Sequence, residues 1–308
     1  MAGIDPQGCD VLALTAFRAG DARRDELHRR VTLRLEAAAR EWARVLLGEK
    51  MIASIRAESA TVPRGAIAVL PPGSADAARG LLGRAGLGER TTSVSPEMLV
   101  DPAAFGAKRF PVALYAGGED YLHTVRAPGD AANAVVRYVE EGGTLVLLAS
   151  QPWPLFYATG PGLRRVEPLT ERLGLPLAMA LEDRPAEELL VRACAQDLVT
   201  PSRAEFPYPP GDPRLRAIER QRLPAGAAYT PIARVVGKSG KDYGDAAGLI
   251  ELPAKNGVRG GRILYISHNL LRDPVEGPAF LAGALRFLVA EAKRGEGARR
   301  DGGAGERR

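Results

Sequence analysis

Two short clusters in this chain carry residue types that do chemistry. The first is Gly117-Gly118-Glu119-Asp120, followed by His123; the second is Ser150-Gln151, with His268-Asn269 far downstream. Two carboxylates and an imidazole after one strand have the donors to hold a divalent ion or to move a proton on a sugar. The competing account is a solvated loop in which Glu119 and Asp120 cap the next element. Ser150 could act as a nucleophile with His268 as its base, but no G-x-S-x-G surrounds it, and a loop serine with a capping or core histidine is the expected reading.

Other motifs lead away from chemistry. In Gly237-Lys238-Ser239 the first glycine of a phosphate loop would fall on Ile232, and no helix follows, so a hairpin turn is expected. Cys194 sits in an apolar stretch and is expected to be a small buried residue. With Cys9 as the only other cysteine, the chain can form no disulfide framework and falls short of a structural zinc set. No metal site and no cofactor is expected. Trp153, Phe156 and Tyr157 suit either a sugar platform or the filling of a proline-rich loop.

These residues need a frame. Ala66 to Leu70, Thr91 to Ser95, Pro111 to Ala116 and the apolar run Thr144 to Ala149 read as strands, the last as a central parallel strand covered on both faces. Helical periodicity links them. Ala131, Ala134, Val135, Tyr138 and Val139 share one face of a helix that stops at Gly142-Gly143. The glycines at 117 and 118 and residues 150–151 therefore follow strands of one sheet, on the carboxyl side where α/β ligands bind.

From Pro152 to Pro231 prolines interrupt the pattern. Phe206-Pro207-Tyr208-Pro209-Pro210 cannot be a central strand. Leu169 to Leu173 and Ala186 to Cys194 read as short helices or insertions. Ala233 to Val236, Gly248 to Leu252 and Arg262 to Ile266 read as strands, with Asn256-Gly257 a hairpin signal. A helix from Pro278 to Ala292 closes the domain, and residues 293–308 are expected to be a disordered tail. At the other end, Leu27, Val31, Leu35, Ala38, Trp42 and Val45 form one face of a helix of about 35 residues, which suits packing on the body or on a second copy of the chain.

Bulk properties are those of an ordinary globular chain. The 308 residues suffice for a core without staples. No apolar run approaches the roughly 20 residues that span a bilayer. The start lacks signal-peptide character, so the cytoplasm is expected. The net charge of +5 comes partly from residues 291–308, and no basic stripe with interleaved aromatics exists, so nucleic acid is not an expected partner.

Taken together, Val112 to Glu119, Tyr138 to Pro154 and Gly261 to Asn269 resemble the class I glutamine amidotransferase-like superfamily. The likeness is to its non-amidotransferase branch of trehalose-utilisation-like and glycosidase-associated domains. The resemblance implies an α/β three-layer sandwich with a mostly parallel, flavodoxin-like central sheet, here preceded by the long N-terminal helix. It divides the chain into a helical extension over 1–60, an amidotransferase-like domain over 61–292 and the tail.

In catalytic members, as the resemblance implies, a cysteine follows the central strand, a histidine and a glutamate follow the last, and glycine-rich backbone binds the oxyanion. Gly117-Gly118 match the oxyanion turn and His268 matches the histidine. The nucleophile position reads Ser150-Gln151-Pro152-Trp153-Pro154, without a thiol and with two residues lacking an N–H. Asn269-Leu270 follow the histidine, so its acidic partner is missing as well.

The expectation is a catalytically degenerate module for ligand binding or assembly. Gly117, Gly118, Glu119, Asp120, His123, Gln151 and Asn269 are its candidate ligand residues, and the resemblance implies a small molecule or carbohydrate as ligand. A homo-oligomer or protein partner would use the N-terminal helix. The alternative is a hydrolase or metal-assisted enzyme centred on Glu119, His123 and His268.

Overall fold

The computed structural model describes residues 49–62, 66–70, 80, 82–83, 86–117, 120–121, 125, 127, 129–148, 156–158, 166–178, 187–195, 203–209, 215–255, 259–267, 269–273 and 275–302. Helices α1 (Glu49–Thr61), α2 (Pro96–Val100), α3 (Asp130–Glu140), α4 (Leu169–Arg172) and α5 (Glu276–Gly302) are interspersed with strands. Those strands are β1 (Ile67–Leu70), β2 (Thr91–Ser93), β3 (Val112–Tyr115), β4 (Asp120–Tyr121), β5 (Thr144–Leu147), β6 (Phe156–Ala158), β7 (Val166–Pro168), β8 (Leu189–Ala193), β9 (Glu205–Pro207), β10 (Ala228–Gly237), β11 (Asp242–Glu251) and β12 (Arg262–Ile266).

Among the described residues, nine strands form one sheet in the order β2-β1-β3-β5-β12-β11-β10-β8-β9. From β2 to β12 every neighbour is parallel. Counting only these five strands along the chain, their order is 2-1-3-4-5, the flavodoxin-like arrangement. From β12 to β9 every neighbour is antiparallel. The sheet is thus mixed and half antiparallel, which corrects the expectation of a mostly parallel one. The long β10–β11 hairpin adds two strands directly beside β12, and β8 and β9 extend the sheet beyond them.

β1, β3, β5 and β12 are buried on both faces because their sequences are almost continuously apolar. Ile67, Val69, Val112, Leu114, Val146, Leu264 and Ile266 pack on one side with Phe280, Leu281, Leu285 and Leu288 of α5. Ala68, Leu70, Ala113, Tyr115, Leu145, Leu147, Ile263 and Tyr265 pack on the other with α2 and α3. Helix, sheet and helix therefore make three layers. α3 ends where the sequence predicts: Gly142 takes a φ of +91°, its N–H reaches the Val139 carbonyl, and the Gly143 N–H reaches the Tyr138 carbonyl. This pair of bonds satisfies the last carbonyls of the helix and turns the chain into β5.

In the second half the structure departs from the sequence reading. Residues 189–193 are a strand, not a short helix or insertion. Their pattern is the reason: Leu189 and Val191 are buried while Arg192 is exposed, a period of two. Pro207 does lie on the edge strand β9, where a missing N–H costs no ladder bond. The turn after Gly237 is the predicted hairpin turn, with Gly240 at φ +87° and its N–H bonded to the Gly237 carbonyl.

α5 continues past Lys293 to Gly302, through residues expected to be a tail. Before β1 the described residues hold one helix, α1 (Glu49–Thr61); the expected long N-terminal helix, with its stripe from Leu27 to Val45, lies outside the described residues, as does Asn256-Gly257. Among the described residues no helix is long and apolar enough to cross a membrane.

Candidate functional site at the carboxyl edge of the parallel strands

The three strands that precede the sequence candidates are adjacent and end level. Tyr115 of β3 pairs with Leu147 of β5, and Leu147 pairs with Tyr265 of β12. Chain leaving this edge passes from β3 into residues 116–121, from β5 into residues 148–158, and from β12 into residues 267–273. Gly117 is buried just beyond β3. Asp120 lies in β4, where its register partner is Phe156 of β6, and β6 pairs in turn with β7. A second, three-stranded sheet in the order β4-β6-β7 thus joins the segment after β3 to the segment after β5. The sequence placed these two segments side by side, and their backbones are hydrogen-bonded. Phe156 and Tyr157 are strand residues of this sheet.

Gly118, Glu119, His123, Ser150, Gln151 and His268 lie outside the described residues, as does Trp153. The residues that flank His268 are described and deeply placed. Ser267 is fully buried and its N–H bonds the Ala246 carbonyl of β11. Asn269 is also buried, and its side-chain amide donates to the Tyr208 hydroxyl at 2.7 Å. Asn269 therefore ties the connection after β12 to the segment beyond edge strand β9.

The Asp273 carboxylate then accepts from the N–H groups of Val275 and Glu276 at 2.9 and 2.7 Å, capping α5. Tyr265, fully enclosed, donates its hydroxyl to the Arg216 carbonyl at 3.1 Å, and burial pushes its ionisation well above the ordinary tyrosine value. It is a hydrogen-bonding residue of the frame and stays neutral at any physiological pH.

Sequence reasoning missed a charged cluster centred on β11. Asp245 of β11 is almost wholly buried and accepts from Arg220 through Nε at 2.6 Å and Nη2 at 2.8 Å. It also accepts from the Tyr229 hydroxyl at 2.7 Å and from Arg234 Nε at 3.1 Å. Burial, then the carboxylate, drives the Tyr229 hydroxyl far above its usual range. The only hint in the sequence is one aspartate among the small residues of Gly244-Asp245-Ala246-Ala247. Register shifts in β10 at Pro231/Ala233 and Ala233/Arg234 help set which residues face it, and no period reveals them.

Cys194 lies at the exposed end of β8 and not in the core, which corrects the expectation of a small buried residue. Partial burial of its sulfur and then the Asp245 carboxylate raise its ionisation, the reverse of what an activated thiol requires. Among the described residues, no group of three or more His, Cys, Asp or Glu side chains could hold a metal ion.

No family model matches this sequence, and no curated protein matches it. Solved structures resemble it at low identity. A β-galactosidase from Bacillus circulans sp. alkalophilus aligns at 14% identity and a TM-score of 0.42, over 75% of this chain and 32% of its own. A putative GMP synthase component from Thermoplasma acidophilum aligns at 12% identity and a TM-score of 0.40, over 75% of this chain and 96% of its own. A cytoplasmic protein from Salmonella typhimurium aligns at 10% identity and a TM-score of 0.36, over 67% of this chain and 85% of its own. The chain spans about a third of the length of the β-galactosidases from Bacillus circulans and Rahnella sp. R3. The strand order and the two covered faces show a mixed α/β fold.

Proposed function

We propose that this chain is an amidotransferase-like domain that does not hydrolyse glutamine and serves as a ligand-binding or assembly module. Carbohydrate is the ligand class to which the sequence resemblance points. The carrying observation is the chain leaving β5, an interior parallel strand between β3 and β12. It reads Ala149-Ser150-Gln151-Pro152-Trp153-Pro154, where the resemblance calls for a cysteine. Thiol chemistry at that strand end needs a sulfur within reach of the oxyanion donors.

Cys194 cannot supply it. It follows β8, four strands away from β5 across β12, β11 and β10, which is about 19 Å at the usual strand spacing. Cys9 lies outside the described residues. The frame itself argues for retained use, since three parallel strands end level and the segments after β3 and β5 are joined by a second sheet.

Thermal unfolding against a panel of mono- and disaccharides and of glutamine tests the ligand arm. A ligand at about 100 times its Kd adds about 2.7 kcal/mol of stability. At least one sugar is expected to raise the Tm, with the shift lost in Gln151→Ala. Light scattering on the full chain and on a chain lacking residues 1–60 tests the assembly arm. No shift with any compound, together with an unchanged monomer in both chains, would overturn the proposal.

A further inference from the structure

We draw no further inference here: the strongest candidate, the groove of about 360 Å³ between the C-terminal turn of α3, the α4 turn and the 252–261 connection, has apolar walls rimmed by Glu140, Glu171, Arg172 and Lys255, and nothing in the structure shows what covers it.

Discussion

The two halves of the large sheet are built on different physics. From β1 to β12 the strands are parallel, short and apolar on both faces, and helices cover each side. From β11 to β9 they are antiparallel, and their apolar residues, such as Leu189, Val191, Ala233, Val235 and Ala247, go mainly to the core shared with α5. Arg220, Arg234, Tyr229 and Asp245 lie together in this half, where one buried carboxylate gathers two guanidinium groups and a phenol. A parallel half that must be covered twice writes itself into the sequence as continuous hydrophobic runs. An antiparallel half that is covered mainly once can close its other face with polar contacts between distant residues.

The largest effect is expected in the parallel half. Leu114 is wholly buried among both neighbouring strands and α5, so Leu114→Ala should lose about 2–5 kcal/mol, read as a shift in denaturant midpoint. A loss below about 1 kcal/mol would mean that this core is loosely packed.

Asp245→Ala comes next and probes the other half. It removes an acceptor shared by Arg220, Arg234 and Tyr229. The loss should be roughly 2–3 kcal/mol, below that of a fully buried pair because Arg220 is 44% exposed and can turn to water. A neutral substitution would show that the β10–β11 bulges hold without the charge cluster.

Two smaller changes test how each half is joined to its neighbours. Gly142→Ala forces a side chain onto a residue at φ +91°, with its Cβ 2.9 Å from the Arg259 carbonyl. About 1–3 kcal/mol should be lost, and the end of α3 should gain amide exchange. Tyr208→Phe removes the oxygen that accepts from Asn269; about 1–2 kcal/mol should go, with chemical-shift changes concentrated in residues 267–273.

The smallest effect lies on the β10–β11 turn. The Glu187 carboxylate is bonded by the Ser239 N–H and the Tyr243 hydroxyl, and the bonds from Ser239, then Tyr243, hold its ionisation below the ordinary glutamate value. A depressed folded-state value means that the contribution is present above the unfolded value and fades as pH falls through the folded one. In an NMR titration Glu187 should therefore protonate at lower pH than a free glutamate, and Ser239→Ala should move it up. A midpoint at or above the free value would remove the contact.

The same division explains what could be read in advance. β1, β3, β5 and β12 and the end of α3 were legible because hydrophobic runs and Gly142-Gly143 are local signals. β8 was not, because Leu-Leu-Val-Arg-Ala is too short to separate strand from helix and its partner β10 begins some forty residues later in the chain. Cys194 misled for a related reason: it follows apolar residues, yet stands where the strand emerges.

At the candidate site, the meeting of the segments after β3 and β5 follows from strand order, and so was legible from the pattern of strands and helices. The bond between Asn269 and Tyr208 spans 61 residues and has no signature in either local sequence. Nothing in Phe206-Pro207-Tyr208 says that its phenol reaches the turn after β12.

A domain of the proposed kind, without a thiol at the end of β5, should lack glutamine hydrolysis. Ammonia release from saturating glutamine should stay at the buffer background for the full chain. Turnover above that background that disappears in Ser150→Ala or His268→Ala would overturn the proposal, because it would show a working nucleophile and base at the strand ends.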